Sequence, residues 1–346
     1  MTGVFVMTTI KRAKLHLAKT TKKDVKEELI SYKSGEVLVD KNSFGKERPW
    51  QKNKIENVLY SEYLEILEMK KAFNVKKCAE VLSYQIDENG QLKLYQVWFC
   101  KSRLCPLCNW RRRVKSSKQL ELILNEAVVR EPNARFLFLT LTTKNTVGKE
   151  NLRAELLKMG RGIRNLMRYK KVEKSLLGYV RSTEITVADD GSYNQHMHVL
   201  LLVSPKFFKD KDKYIKQSEW KKLWKKAMKL DYDPIVYVEA VKDKSGKGSL
   251  KSAALETAKY QTKSSDYLTK DDAKNLKVIE DLEYALRGTR QISFGGLLKE
   301  IVKEMQLDDV EKGDLIHSDG KAEEENSVVK VAIAKFDYFR KNYFWQ

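Results

Sequence analysis

The sequence predicts an α+β fold in which antiparallel strand pairs alternate with helices, and three kinds of pattern carry this prediction. Two pairs of β-rich runs are each joined by a turn signal, which is the pattern of a hairpin. A run of β-branched and aromatic residues over 135–143 predicts a further strand. Apolar residues at helical spacing predict helices between these strands. With 346 residues, the chain is long enough to bury one large core or two smaller ones.

The predicted elements follow one another from residue 58 onward. Helical periodicity predicts helices over 58–69, 110–129, 151–169 and about 250–262. Alternating or β-rich runs predict strands over 79–86, 92–99, 135–143, 177–187, 193–203 and 234–238. The first 55 residues show weak periodicity and have the composition of a mobile arm or linker.

The second hairpin is the sharpest local signal. Its turn, residues 189–191, suits a three-residue loop with glycine at the left-handed position. That loop fixes the strand register and places Glu184 opposite His196 and Ser182 opposite His198. These four side chains then share one polar face, while the opposite face is mostly apolar. One side of the hairpin is therefore expected in the core, and the other is available for chemistry.

The sequence His196-Met197-His198 puts two imidazoles on the same face of a strand. Two histidines with the carboxylate of Glu184 beside them make a candidate site for a divalent metal ion. A pair of surface histidines without a ligand is the alternative. We favour the metal site for two reasons. These are two of only four histidines in the chain, and the hairpin turn, which is a separate signal, places Glu184 beside them.

A predicted helix holds a second candidate group. Glu256 and Tyr260 stand at i and i+4, with Lys263 one turn further on, so all three are expected on one helix face. A solvated helix surface is the alternative. Beside a metal site we interpret the three residues as a catalytic group. The tyrosine would attack phosphorus, metal or lysine would neutralise the charge on the phosphate, and the glutamate would act as a base.

Four cysteines form the third group. Cys100, Cys105 and Cys108 fall within nine residues, and Cys78 stands on the preceding strand. A C-x2-C pair with two further cysteines fits a tetrahedral structural zinc site, with Cys78 as the least specified ligand. Buried free thiols are the alternative.

The composition is basic, with 67 Lys and Arg against 47 Asp and Glu, a formal charge of +20. Such a field attracts polyanions, either nucleic acid or an anionic membrane surface. The tryptophans 110, 220 and 224 lie among basic segments, and we interpret them as stacking groups that favour DNA or RNA. The candidate DNA contacts are Arg111, Arg112, Arg113, Lys115, Lys221, Lys222 and Lys225.

Membrane insertion is not expected. No run approaches the roughly 18 to 20 apolar residues of a spanning helix, and residues 1–23 turn basic before a signal-like stretch develops. We expect a cytoplasmic protein.

Three ordered motifs and the cysteine segment resemble the replication initiators (Rep proteins) of small rolling-circle plasmids of Gram-positive bacteria, in the HUH endonuclease superfamily. The resemblance covers about residues 75–300. The matching segments are Phe138-Leu-Thr-Leu-Thr-Thr143, His196-Met-His198, Glu256-x3-Tyr260-x2-Lys263, the cysteine segment 99–112 and Ser293-Phe-Gly-Gly.

The resemblance implies an antiparallel sheet flanked by helices, with the His-x-His on a central strand. It further implies that Tyr260 nicks one strand at the double-strand origin, leaving a 5′-phosphotyrosine and a free 3′-OH for the host polymerase. His196 and His198 would hold Mg²⁺ or Mn²⁺. Glu256 would activate the water that ends the round, with Tyr267 as the rival second nucleophile, and Lys263 would orient or neutralise the phosphate.

The expected organisation has four parts: a flexible basic arm (1–55), a helix, hairpin and cysteine segment (56–130), an HUH catalytic domain (131–305), and an acidic linker with an aromatic end (306–346). Expected partners are plasmid origin DNA, a host helicase and polymerase, and a second copy in a homodimer. A non-catalytic, sequence-specific DNA-binding regulator and a relaxase- or transposase-type HUH enzyme are the alternative functions.

Overall fold

The computed structural model describes residues 26–87, 90–241, 257, 262–316 and 328–346. The helices there are α1 Trp50–Ile66, α2 Ala72–Lys76, α3 Pro106–Arg130, α4 Lys149–Met167, α5 Lys170–Glu173, α6 Lys206–Lys209, α7 Gln217–Met228, α8 Asp272–Ala285 and α9 Leu297–Glu304. The strands are β1 Lys26–Leu29, β2 Val81–Ile86, β3 Leu92–Val97, β4 Arg135–Thr142, β5 Leu176–Val187, β6 Tyr193–Val203, β7 Val236–Ala240, β8 Ile292–Gly296, β9 Val328–Asp337 and β10 Asn342–Trp345.

The chain divides into two compact units. The first comprises Met1–Cys108 and Lys321–Gln346, and the second comprises Asn109–Gly320. The mixed composition of helices and largely antiparallel sheets confirms the predicted α+β fold. No helix within the described ranges is long and apolar enough to cross a membrane.

The first unit holds a five-stranded sheet in the order β1-β9-β2-β3, with β10 also paired to β9. Only β1 and β9 run parallel among the described strands of this sheet; the other pairs are antiparallel. Strands from both ends of the sequence therefore lie in one sheet. The buried carboxylate of Asp40 ties this unit together, because it accepts hydrogen bonds from Arg48 (2.8 Å), Trp50 (2.8 Å) and Tyr84 (3.1 Å).

The second unit is built on an antiparallel sheet in the order β7-β4-β6-β5-β8. Strand β6 is the central strand, as the resemblance implied for the His-x-His motif. The register of β5 and β6 pairs Glu184 with His196 and Ser182 with His198, which confirms the register predicted from the turn.

Helices cover both faces of this sheet. On one face, α4 and α7 bury a core that includes Met159, Trp224 and Leu139. On the other, α3 and α9 pack against Phe138 and Leu200. Because side chains alternate along a strand, the histidines of β6 lie on the same face as Phe138 and Leu200, further along the strand.

Two consecutive glycines fix the edge of the sheet at β8. Gly296 has a φ of 57°, and a Cβ atom there would overlap the carbonyl oxygen of Leu177. A Cβ on Gly295 would overlap the ring of Tyr179. Glycine is therefore required for β8 to approach β5 this closely before α9 begins.

Candidate metal centres and catalytic face

The first candidate metal centre consists of Glu184 on β5 with His196 and His198 on β6. Oε2 of Glu184 lies 3.1 Å from Nε2 of His196 and 3.0 Å from Nε2 of His198. One ligand atom from each residue lies within 4.8 Å of those of the other two. Two imidazoles and a carboxylate that converge in this way suit a divalent cation and leave further coordination positions for water or substrate.

The surroundings of His198 hold its ring in place. Oγ1 of Thr140, on the neighbouring strand β4, lies 3.5 Å from Nδ1 of His198, and the ring of Phe138 stacks against the imidazole. A partner on the second ring nitrogen orients a histidine ligand and raises its basicity. Thr140 was not predicted as part of the site, although the strand alternation places it on the same face as Phe138.

The carboxyl group of Glu184 is held in its ionised form. Burial by itself would raise its pKa, but the hydrogen bonds and charges of His196 and His198 outweigh burial and hold the pKa well below its usual range. An ionised carboxylate is the form that binds a cation.

Lys263 is the described member of the Glu256-x3-Tyr260-x2-Lys263 motif. Its Nζ lies 4.0 Å from Oε1 of Glu184, and its side chain is half exposed. The motif therefore reaches the histidine-carboxylate cluster at this end. Glu256 and Tyr260 lie outside the described residues.

The prediction that Lys263 continues the helix is wrong. Its backbone is extended, with φ −78° and ψ 147°, because it precedes a 3-10 turn at Ser264–Asp266. The carboxylate of Asp266 accepts a hydrogen bond from the backbone N–H of Lys263 at 3.2 Å and stabilises that turn. The ring of Tyr267, the rival nucleophile, follows the turn and is fully buried, which does not suit attack on DNA.

The second candidate metal centre is the cysteine cluster of the first unit. The Sγ atom of Cys108 lies 3.6 Å from that of Cys78 and 3.7 Å from that of Cys100, and the Sγ atom of Cys105 lies 3.7 Å from that of Cys78. Sulfurs at the corners of a tetrahedron with Zn–S bonds of about 2.3 Å stand about 3.8 Å apart. The four thiols therefore fit a zinc site with four thiolate ligands, and none of them forms a disulfide.

Hydrogen-bond donors surround this cluster, and two of them face its sulfur atoms. The backbone N–H of Cys100 points to Cys78 Sγ (3.4 Å), and the side-chain amide of Asn57 donates to Cys105 Sγ (3.3 Å). The ammonium group of Lys54 is buried and donates to the carbonyl oxygen of Cys78 at 2.7 Å. Its burial lowers the pKa of Lys54 to about 8. No sequence pattern pointed to Asn57 or Lys54, since both stand far from the cysteines along the chain.

The predicted DNA contacts on α3 are largely internal. Arg111 donates to the carbonyl oxygens of Leu315 and Ile316 at 2.8 and 2.7 Å. Lys115 pairs with Asp308 at 2.6 Å. Arg112 is also buried, whereas Arg113 is exposed. The basic side chains of α3 thus hold part of the acidic segment that follows α9.

The predicted contacts on α7 lie at the surface. Lys221 and Lys225 both pair with Asp233, each at 2.9 Å, and these pairs lower the pKa of Asp233 to about 2. Lys222 is exposed. The interpretation of the tryptophans as stacking groups is wrong, because their side chains are buried in the protein; the residues concerned are Trp110, Trp220 and Trp224.

An antiparallel sheet with His-hydrophobic-His on its central strand is typical of HUH-type proteins. Residues 91–344 match the model of the replication protein family (Rep_1), and the chain belongs to that family. The resemblance to Rep initiators of Gram-positive plasmids is thereby confirmed, and the chain is a plasmid replication initiator.

The chain aligns with three named relatives along nearly the whole length of each relative. The chain is 55% identical over 315 residues to a Protein rep of Lactiplantibacillus plantarum, covering 89% of this chain and 99% of the relative. It is 56% identical over 313 residues to a Protein rep of Lentilactobacillus hilgardii, with 90% and 99% covered. It is 40% identical over 317 residues to a Protein rep of Streptococcus pneumoniae, with 89% and 97% covered. No solved structure matches the chain.

Proposed function

We propose that this initiator starts rolling-circle replication by nicking one strand at the plasmid's double-strand origin, with Tyr260 as the nucleophile. The observation that carries the proposal is the cluster of Glu184, His196 and His198 with Lys263 4.0 Å from the carboxylate. Only two residues separate Tyr260 from Lys263 in the sequence, so the chain between them is short. The proposal therefore assigns the tyrosine motif and the metal ligands to one site.

The chemistry is a phosphoryl transfer to tyrosine. The phenolic oxygen of Tyr260 forms a bond to the scissile phosphorus, and the bond from phosphorus to the 3′ oxygen breaks. The proton that the phenol loses balances the one that the leaving 3′ oxygen takes up, so the DNA keeps a free 3′-OH and the 5′-phosphate stays on the enzyme as a phosphotyrosine. A bound Mg²⁺ or Mn²⁺ supplies charge neutralisation at the phosphate oxygens.

Each residue around the cation has its own role in the reaction. Glu184, His196 and His198 hold the ion, and the ionised state of Glu184 adds the negative charge that a hard divalent cation prefers. The ammonium group of Lys263 lies beside the carboxylate and orients or neutralises the phosphate. Glu256 removes a proton from the water that hydrolyses the second phosphodiester and ends the round.

The four-cysteine cluster has a separate, structural task in this proposal. Its residues lie on the loop after α2, the end of the first hairpin and the start of α3, so a zinc ion there joins three segments. Binding of such an ion contributes directly to the folding free energy.

The proposed partners are origin DNA, in its double-stranded form and as the single strand at the nick site, the host helicase and polymerase, and a second copy in a homodimer. The proposed location is the cytoplasm. DNA binding relies on exposed basic side chains such as Arg113 and Lys222.

The test is nicking of a supercoiled plasmid that carries the candidate origin. We expect open-circular product with Mn²⁺ and none with EDTA, and we expect His196→Ala and His198→Ala to remove the activity. Lys299→Ala, an exposed lysine of α9, serves as the control for general effects of substitution. Origin binding without any nicking in Mg²⁺ or Mn²⁺ would contradict the proposal and favour a non-catalytic regulator.

A further inference from the structure

An exposed tyrosine lies on the same sheet face as the histidines. In the strand register, Tyr237 on β7 stands opposite Thr140 on β4, and Thr140 stands opposite His198 on β6. Residues directly opposite each other in an antiparallel sheet point to the same face. Tyr237 and His198 are therefore two strands apart, about 10 Å, on one face.

Tyr237 is largely exposed although it stands on a strand of the sheet. Its exposed fraction is 61%, and that of Ile235, two residues earlier on the same side, is 58%. The intervening Val236 points to the other face and is buried in the core. Ile235, just before β7, and Tyr237 within it therefore present exposed apolar groups on the sheet face that carries the histidines.

From this juxtaposition we propose that Tyr237 is a stacking platform for a base of single-stranded DNA next to the scissile phosphate. The proposal rests on the proposed function for the identity of the DNA, and it adds a binding position that the nicking chemistry does not require. Ile235, immediately before β7, extends the platform.

Single-stranded DNA fits this surface for two reasons. Proteins bind unpaired bases by stacking them on exposed aromatic rings while cationic groups follow the backbone. On this face the ammonium group of Lys263 lies at the carboxylate of Glu184, and the ring of Tyr237 lies on the far side of Thr140. A strand that places a phosphate at the histidines therefore passes from a cationic group to an aromatic one.

A second copy of the chain is the competing occupant, because β7 lies at the edge of the sheet that the described strands form, and exposed edges can pair with other chains. The formal charge of +20 favours a polyanion at this exposed face, and the proposed homodimer then uses another surface. The closeness of the ring to the metal ligands also points to the substrate.

The experiment measures equilibrium binding of a fluorescein-labelled oligothymidylate to the full chain by anisotropy, without added Mg²⁺ or Mn²⁺ so that no strand is cut. We expect Tyr237→Ala to weaken binding roughly 5- to 100-fold, the range for loss of one base stack. Tyr237→Phe keeps the ring and should bind within about twofold of the unmodified protein. Phe339→Ala removes another exposed ring, 95% exposed and on the first unit, and should change nothing.

A duplex hairpin of the same length is the matched ligand, because its bases are already stacked; its affinity should not depend on Tyr237. Unchanged oligothymidylate binding by Tyr237→Ala would overturn the proposal. The same holds if that variant instead turns a dimer into a monomer in sedimentation while its DNA affinity stays constant.

The outcome is separable from that of the proposed function. If the unmodified protein never nicks the plasmid, but Tyr237→Ala still loses single-strand affinity, the platform stands and the nicking proposal fails. If nicking is metal-dependent while Tyr237→Ala binds and nicks normally, the nicking proposal stands and the stacking platform is ruled out.

Discussion

The Nζ atom of Lys263 lies 4.0 Å from Oε1 of Glu184, while Oε2 of the same carboxylate faces the Nε2 atoms of both histidines. The carboxylate therefore has a cationic neighbour on one side and the two histidines on the other. Because Lys263 belongs to the tyrosine motif, this contact joins the two parts of the candidate site that are far apart in the sequence.

Lys263→Ala should lower the rate of nicking by about 10- to 1,000-fold in single-turnover assays with Mn²⁺, because a charged donor near the phosphate is lost. Lys263→Arg keeps the positive charge and should recover part of the rate. Lys299→Ala is the matched control on an exposed lysine of the same unit. Equal rates for Lys263→Ala and the unmodified protein would show that this lysine has no part in the chemistry.

The cysteine cluster predicts one zinc ion per chain in protein purified without chelators, as measured by elemental analysis. Cys105→Ser should lose the ion and lower the melting temperature, since binding energy of the metal is folding energy. Asn57→Ala leaves the four thiols in place but removes a hydrogen bond to Cys105, so it should retain zinc with a smaller loss of stability. Zinc-free protein, or a Cys105→Ser variant with unchanged melting, would contradict a structural metal site.

Gly296→Ala should destabilise the second unit by at least about 1 to 3 kcal/mol, because a positive φ and a close approach to Leu177 both require glycine. Gly160→Ala is the matched control: this glycine lies inside α4, and a Cβ there meets open space. It should stabilise the chain by about 0.5 to 1 kcal/mol. Denaturant unfolding measures both. Equal effects of the two substitutions would contradict the backbone geometry at β8.

Substitution of Lys115 should affect stability, whereas substitution of Lys222 should affect DNA binding. Lys115 is buried and paired with Asp308, so Lys115→Ala should lower the melting temperature by several degrees. Lys222 is exposed, so Lys222→Ala should keep the melting temperature and reduce the slope of log affinity against log salt by about 1 if it contacts a phosphate. A change in salt slope without loss of stability in Lys115→Ala would contradict the internal role of that lysine.

The hairpin of β5 and β6, which carries the candidate metal ligands, was predictable because its signals are local. The turn at residues 189–191 sets the register, and the register alone places Glu184 beside the histidines. The family motifs and the cysteine spacing were also local. Each of these features depends on residues that are close in the chain.

Features that depend on distant partners were not predictable. The tryptophans of α7 stand among lysines in the sequence, yet they face the core formed with β4. The sheet of the first unit joins β1 to β9, a pairing across nearly the whole chain. The prediction that Lys263 continues the helix was wrong for a different reason. Helical spacing suggested that it shares a face with Tyr260, but the hydrogen bond from its backbone N–H to Asp266 begins a 3-10 turn.

We propose that Tyr260 attacks DNA beside the Glu184, His196 and His198 cluster. The most direct measurement is a covalent adduct assay with an origin oligonucleotide labelled on the 3′ side of the nick, run with Mn²⁺ on a denaturing gel. We expect a labelled protein band that disappears in Tyr260→Phe and persists in Tyr267→Phe. Full adduct formation by Tyr260→Phe, or an adduct that forms equally well with EDTA, would contradict it.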